Sequence, residues 1–182
     1  MTQQTPQSTE PVLRLEVAML ATPIGDVTVA ATAAGVAHVL LPGTPSEPMV
    51  ESFLHRQPCA EIALLTGLTP WLEPGAVAVA AVLAGRDQPL PPLDLAVTDF
   101  ERLVLMAICR IPRGETRSYQ QIATAIGHPK ASRAVGQACS ANPVPILVPC
   151  HRVVGESGHL VGFGGGLDMK ARLLAREGAL LT

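Results

Sequence analysis

The pattern of apolar and polar positions changes character several times along the chain, and each change marks an element. Between residues 12 and 41 the short apolar runs VLRLEVAML, DVTVAAT and GVAHVLL are separated by the turn signals Pro23-Ile24-Gly25-Asp26 and Gly35. Such spacing predicts a small antiparallel meander. Residues 47–84 read as mostly helical, broken at Pro58, Pro70 and Pro74-Gly75. The stretch GRDQPLPPLDL (85–95) is too proline-rich for regular structure and reads as a linker. Beyond it, Thr98-Asp99-Phe100-Glu101 has capping-box spacing and opens a helix with Phe100, Leu103, Val104, Ala107 and Ile108 on one face. Ser118-Tyr119-Gln120-Gln121 repeats that spacing and starts a short helix through Ile126; Gly127-His128-Pro129 makes a turn, and KASRAVGQACSA (130–141) a further helix. Two short helices joined by a glycine-containing turn have the outline of a helix-turn-helix, an outline that ordinary helical hairpins share. The prolines of NPVPILVPCHRVV (142–154) favour an extended course, with Ile146, Leu147 and Val148 buried. A glycine-rich loop, GESGHLVGFGGG, then leads into the helix LDMKARLLAREG (167–178), with Gly178 at its C-terminal cap.

Composition fits that picture. The 182 residues are 48% hydrophobic and 15% charged, the balance of a globular chain. The longest apolar run, Ala76–Ala84, is far short of a membrane span, and the polar start MTQQTPQSTEP has no signal-peptide character. The expected segments are a disordered tail over 1–11, an N-terminal α/β domain over 12–84, a linker over 85–97 and a second domain over 98–182. Cytoplasmic residence with reduced thiols is expected for Cys59, Cys109, Cys139 and Cys150, which form no C-x-x-C pair and no zinc-finger spacing.

Charge is divided unevenly. Residues 1–99 carry three basic and ten acidic groups, net −7, whereas residues 100–182 carry ten basic and five acidic groups, net +5. The split suits either an anionic partner for the C-terminal half or a merely solvated surface.

Chemistry concentrates at PCHRVV (149–154). A cysteine in a buried apolar segment is commonly an inert small hydrophobe, but here His151-Arg152 adjoin it and a flexible loop follows. An unperturbed thiol is only about a few per cent thiolate at neutral pH, so a nucleophilic Cys150 needs a base; His151 could serve, oriented by Glu177 or another carboxylate. The run GFGGGLDMK lacks the spacing of a phosphate loop and suits close backbone approach to a flat ligand.

Taken together, IPRGETRSYQQIA, RAVGQACSANPVPILVPCHRVVGESG, GFGGGL and KARLLAREG resemble the C-terminal domain of the O6-alkylguanine-DNA alkyltransferases, the methylated-DNA–protein-cysteine methyltransferases. The resemblance spans about half the chain in order, and TPIGDVTVAATAAGVAHVLLPG is similar, more weakly, to the family's first domain. It implies an α+β fold: a small N-terminal antiparallel-sheet, RNase H-like domain and a mainly helical, winged helix-turn-helix-like domain. It further implies a monomer that acts in the cytoplasm (nuclear in a eukaryote) on double-stranded DNA containing O6-alkylguanine, with no membrane, metal or cofactor; cooperative assembly on DNA stays open. In the roles so implied, Cys150 accepts the alkyl group, and His151 with Glu177 deprotonates it through a bridging water. Asn142 acts as a hinge, Tyr119 donates a proton toward guanine N3, and Arg133 fills the gap left by a flipped nucleotide. Arg117, Lys130, Ala131, Ser132 and Arg152 would face DNA; the backbone of Val148, Cys150 and Gly164, with Phe163 and Gly165, would hold the base. Glu101, Leu105 and Phe163 depart from the family's glutamine, tryptophan and tyrosine. A non-catalytic alkyltransferase-like lesion binder and a Cys-His-Glu hydrolase are the alternatives. The first class replaces the cysteine, and the second needs an oxyanion hole for which the sequence offers no signal.

Overall fold

The computed structural model describes residues 13–179; the tail expected over 1–11 lies outside the described residues. Three strands come first: β1 (Arg14–Thr22), β2 (Gly25–Thr32) and β3 (Gly35–Leu40), each antiparallel to the next, as the alternation predicts. Helix α1 (Glu47–Arg56) follows, then strand β4 (Glu61–Leu65), which pairs parallel with β1 and completes the order β3-β2-β1-β4. The sheet is therefore mixed rather than purely antiparallel, and 47–84 is less helical than expected. EIALL is five residues long, too short to declare a period, and its strand state depends on the free edge of β1. Helix α2 (Glu73–Leu83) then packs across β1 and β2.

Residues 85–97 are irregular, as expected, yet they are fastened to the sheet. Val36 donates to the Pro92 carbonyl and accepts from the Asp94 amide, both at 2.9 Å, while the Thr32 hydroxyl donates to the Asp94 carboxylate at 2.6 Å. Gly35 makes this approach feasible: with φ of 144°, a Cβ there would lie 2.4 Å from the Pro92 oxygen.

The C-terminal half begins with α3 (Asp99–Ile108), whose Thr98–Glu101 capping box is complete. Its buried stripe is Val104, Leu105 and Ile108; Leu103, expected on the core face, is 43% exposed. Leu105, one of the family departures, lies at the centre of the core. A two-residue strand, β5 (Arg117–Ser118), leads into α4 (Tyr119–Ala125) through a second complete capping box. Helix α4 ends in a Schellman motif, with Gly127 at φ 79° and the His128 amide donating to the Ala123 carbonyl at 2.9 Å. Helix α5 (Ser132–Ser140) starts two residues later than expected, leaving Lys130 and Ala131 in the turn. After it come a single 3₁₀ turn at Cys150–Arg152, strand β6 (Val153–Val154) and helix α6 (Leu167–Arg176). The expected extended course thus gives way to a 3₁₀ turn at the cysteine itself. β5 and β6 pair in parallel, tying the start of α4 to the residues after Cys150.

One apolar cluster runs through both halves, joining Val29, Val36 and Leu41 to Leu105, Val148 and Leu173; a smaller one, with Leu15, Met49 and Phe53, lies under α1. The two halves also share a backbone hydrogen bond, from the Val39 amide to the Pro143 carbonyl at 2.8 Å. No described helix is long and apolar enough to cross a membrane.

Candidate active site

The segment between α5 and the 3₁₀ turn is held by a single side chain. Asn142 Nδ2 donates to the Val148 carbonyl at 3.0 Å and to Cys150 Sγ at 3.2 Å, while its Oδ1 accepts from the Val144 amide at 3.1 Å. The turn so closed forces Ile146 to φ 75°, a conformation that costs a β-branched residue about 1–3 kcal/mol; its complete burial holds it there. The Val148 carbonyl, expected to face a base, already accepts from both Asn142 and the Cys150 amide (2.8 Å), and the side chain is fully buried. Both lone pairs of that carbonyl are thus engaged within the chain itself, and Val148 shapes the approach to the cysteine.

Cys150 is 7% exposed. Burial raises its thiol pKa, against the lowering effects of the Asn142 hydrogen bond and the Lys170 charge. The resting sulfur is therefore a thiol and needs a base to become a nucleophile. The 3₁₀ turn carries His151 away from it, to a site with no solvent exposure. There His151 Nε2 meets Glu177 Oε1 at 3.1 Å. Glu177 is the C-terminal cap residue of α6, fixed by a Schellman motif in which the Gly178 and Ala179 amides return to the Ala175 and Leu174 carbonyls. Burial raises its carboxyl pKa, but His151 and Arg152 together outweigh that and bring it down to about 2. An ionised Glu177 accepts, so Nε2 carries the proton in neutral His151. Nδ1, which meets no protein partner among the described residues, keeps its lone pair. Burial keeps the imidazole neutral, pushing its pKa below the ordinary value despite Glu177.

Arg152, expected at a DNA surface, turns inward. Nε and Nη2 donate to the two Glu177 oxygens at 2.8 Å each, Nη1 donates to the Ile111 carbonyl at 2.6 Å, and the side chain is 11% exposed. It is the clamp that keeps Glu177 ionised.

Lys170 is a partner that sequence reasoning missed. It is fully buried, and its Nζ donates to the carbonyls of Val153 (2.6 Å), Val161 (2.7 Å) and Gly162 (3.2 Å). One ammonium thus gathers β6 and the glycine loop behind the cysteine. The signal was present: Lys170, Leu173, Leu174 and Glu177 share one helical face, so a lone lysine stands on an apolar stripe.

Over the sulfur, Cys139, Ser140, Cys150, Gly162 and Phe163 line a hollow of about 10 Å³. The Phe163 ring stands edge-on to His151 with centroids 6.4 Å apart. Gly164 is exposed with open space around it, whereas Gly165 is crowded: a Cβ there would lie 2.8 Å from Leu41 Cδ1 of the sheet half. A wider cleft, about 330 Å³, is lined by Tyr119, Gln120, Ser132, Arg133, Gly136 and Glu156. Tyr119 donates to the Val161 carbonyl at 3.3 Å, and burial pushes its phenol up to about 12, keeping it a proton donor. Arg133 projects exposed from the first turn of α5, with Lys130 exposed just before it and Ala131 and Ser132 half-buried between. Arg117 is paired locally with Glu115 at 2.6 Å. Glu156 on this cleft is an acidic residue that sequence reasoning passed over. Among the described residues no three His, Cys, Asp or Glu side chains gather as metal ligands.

A buried thiol next in sequence to a carboxylate-oriented imidazole, on a turn that follows a helix-turn-helix, defines a cysteine-centred site. Comparison with known proteins is specific. The family model for the 6-O-methylguanine DNA methyltransferase DNA binding domain matches residues 99–179. The inducible methylated-DNA–protein-cysteine methyltransferase of Bacillus subtilis is 41% identical over 150 residues, 82% of either chain. The Mycobacterium leprae methylated-DNA–protein-cysteine methyltransferase is 56% identical over 85 residues, a match spanning 47% of this chain and about half (52%) of the relative's length. The Mycobacterium tuberculosis OGT structure in complex with DNA superposes with a TM-score of 0.75 at 35% identity, covering 90% of this chain and 92% of that one. The chain belongs to the methylated-DNA–protein-cysteine methyltransferase family.

Proposed function

We propose that the protein repairs double-stranded DNA by moving the alkyl group of O6-alkylguanine onto Cys150, once per molecule and as a monomer. The observation that carries this reading is the unprotonated Nδ1 of His151, with Nε2 held by Glu177, one residue from a buried thiol. The alkyl carbon lies inside a duplex, so the nucleotide must leave the stack at a cost of roughly a few kcal/mol. Arg133, exposed on the first turn of α5, offsets part of that cost by occupying the space left behind. The hollow over Cys150 is smaller than a base, and the glycine-rich segment 162–166 is the wall that yields.

His151 takes the thiol proton at Nδ1 through a bridging water. The sulfur attacks the alkyl carbon, an S–C bond forms, and the C–O6 bond breaks with its electron pair passing into the guanine ring. Tyr119 supplies the proton that neutralises the leaving base at N3. The product thioether is stable, so the sulfur is not regenerated.

Incubation with an O6-methylguanine duplex should raise the intact mass by one methylene equivalent, the thiol hydrogen of Cys150 being replaced by methyl, with no further turnover. Cys150→Ser should abolish the transfer while retaining duplex affinity within about twofold. Methyl loss from DNA catalysed by the serine variant, or a wild-type protein that never gains mass, would overturn the reading.

A further inference from the structure

A further charged feature is a cleft of about 360 Å³ where the end of α2 and residues 86–90 meet the turn after α3 and the back of the segment leading to Cys150, touching the site above through Arg152. It shares no lining residue with the hollow over the sulfur or with the Tyr119–Arg133 cleft. Four arginines face it, Arg86, Arg110, Arg113 and Arg152, against one acid, Asp87. Two of them are fixed walls. Arg113 donates to the Arg176 carbonyl at 2.6 Å and to the Val82 carbonyl at 3.4 Å, and Arg152 is locked on Glu177 and Ile111. Arg86 and Arg110 enter none of the ion pairs among the described residues, so their forks are unspent. Leu147 and Pro149 give the cleft an apolar floor.

Like charges gathered in one concavity repel, and the fold holds these together with a single carboxylate among them. With Arg152 neutralised by Glu177, a net excess of two positive charges remains, which suits a phosphate-type dianion better than a lone carboxylate. Guanidinium forks match phosphate oxygens in pairs, and the volume is that of a small-ligand site. We infer that this cleft binds a phosphate-bearing anion, held by Arg86 and Arg110 and backed by the fixed charge of Arg113. The anion is either a free polyphosphate-type group or the backbone phosphate of a duplex, and the chemistry of recognition is the same for both.

The test is calorimetric titration of the full chain with inorganic pyrophosphate, with chloride matched for ionic strength. Saturable one-to-one binding is expected. Arg86→Gln with Arg110→Gln should weaken it at least about tenfold while leaving the melting temperature in chloride unchanged. Each single substitution should weaken it about threefold, which keeps the test decisive if the double variant misfolds. Arg133→Gln, on the other cleft, should leave pyrophosphate binding as it is. No saturable binding by the wild type, equal binding by the arginine variants, or a loss that follows Arg133 instead would overturn the inference. Affinity for undamaged duplex, measured on the same variants, identifies the source. A parallel loss supports a duplex phosphate in the cleft, and an unchanged duplex affinity beside lost pyrophosphate binding supports a free anion. The measurement does not use alkyl transfer, so its failure is distinct from failure of the repair reading.

Discussion

In the sheet half the buried acid is Glu16, which meets Arg14 at 3.5 Å and accepts from Thr69, while the strands around it bury small aliphatic side chains. In the helical half, His151, Lys170, Arg152 and Glu177 are all wholly or nearly sequestered within twenty-seven residues of chain, and Ile146 is held at positive φ beside them. The first arrangement is what an unstrained scaffold looks like. The second gathers desolvated charges and local strain around the cysteine. The two are joined at Leu41 against Gly165 and at Val39 against Pro143, so the sheet half braces the loop and approach on which the site is built.

Glu177→Gln is the strongest way to break this contrast. It replaces one of the two acceptor oxygens shared by His151 and Arg152 with an amide donor, which unsettles the His151 tautomer, and leaves Arg152 buried with no counter-charge. Alkyl transfer should slow about a hundredfold, and stability should fall by about 3–5 kcal/mol in urea unfolding. The pH dependence has a definite sign. The folded pKa of Glu177 is depressed from 4.5 to about 2, so its stabilisation is complete above 4.5 and is lost as pH falls toward 2. The glutamine variant should show a correspondingly shallower acid loss of stability. With the His151 pKa pushed down by burial, the wild-type transfer rate should stay level from neutral pH to the ordinary histidine pKa and fall only below it.

Lys170→Met comes next. Three carbonyls lose their donor together, which should cost about 2–4 kcal/mol and slow transfer more than it weakens duplex binding. Equal losses in rate and affinity would mean that Lys170 supports the domain in general and not the glycine loop. A smaller effect tests the brace. Leu41→Ala should cost about 2–3 kcal/mol and speed hydrogen exchange of amides 162–166, although the substitution lies in the other half of the chain. Leu103→Ala is the calibrating case. Because that side chain is 43% exposed, the change should stay within about 0.5 kcal/mol.

The local rules were legible in the sequence wherever the interaction is local. Both capping boxes bond over three residues, and the Gly127 and Gly178 caps close over five. The pairing of His151 with a distant Glu177 was readable through the family resemblance, and the structure brings the two to 3.1 Å. What was misread depended on partners that no local pattern names. EIALL became a strand because β1 had an edge to offer, and α3 turned Leu105 inward and Leu103 outward because the neighbouring core decided its rotation. Arg152 looked like a surface cation and became the clamp on Glu177.

The sequence by itself determined where the helices start and stop, which segment carries the thiol, and that a glycine loop follows it, since these rest on contacts within a few residues. Only the tertiary structure decided which lone pairs and charges are spent. It closed the Val148 carbonyl, left His151 Nδ1 open, buried Lys170 under three carbonyls and gathered four arginines around one cleft. Satisfaction of polar groups is a property of three-dimensional neighbours, and in this protein those neighbours come from segments as far apart in sequence as Val39 and Pro143.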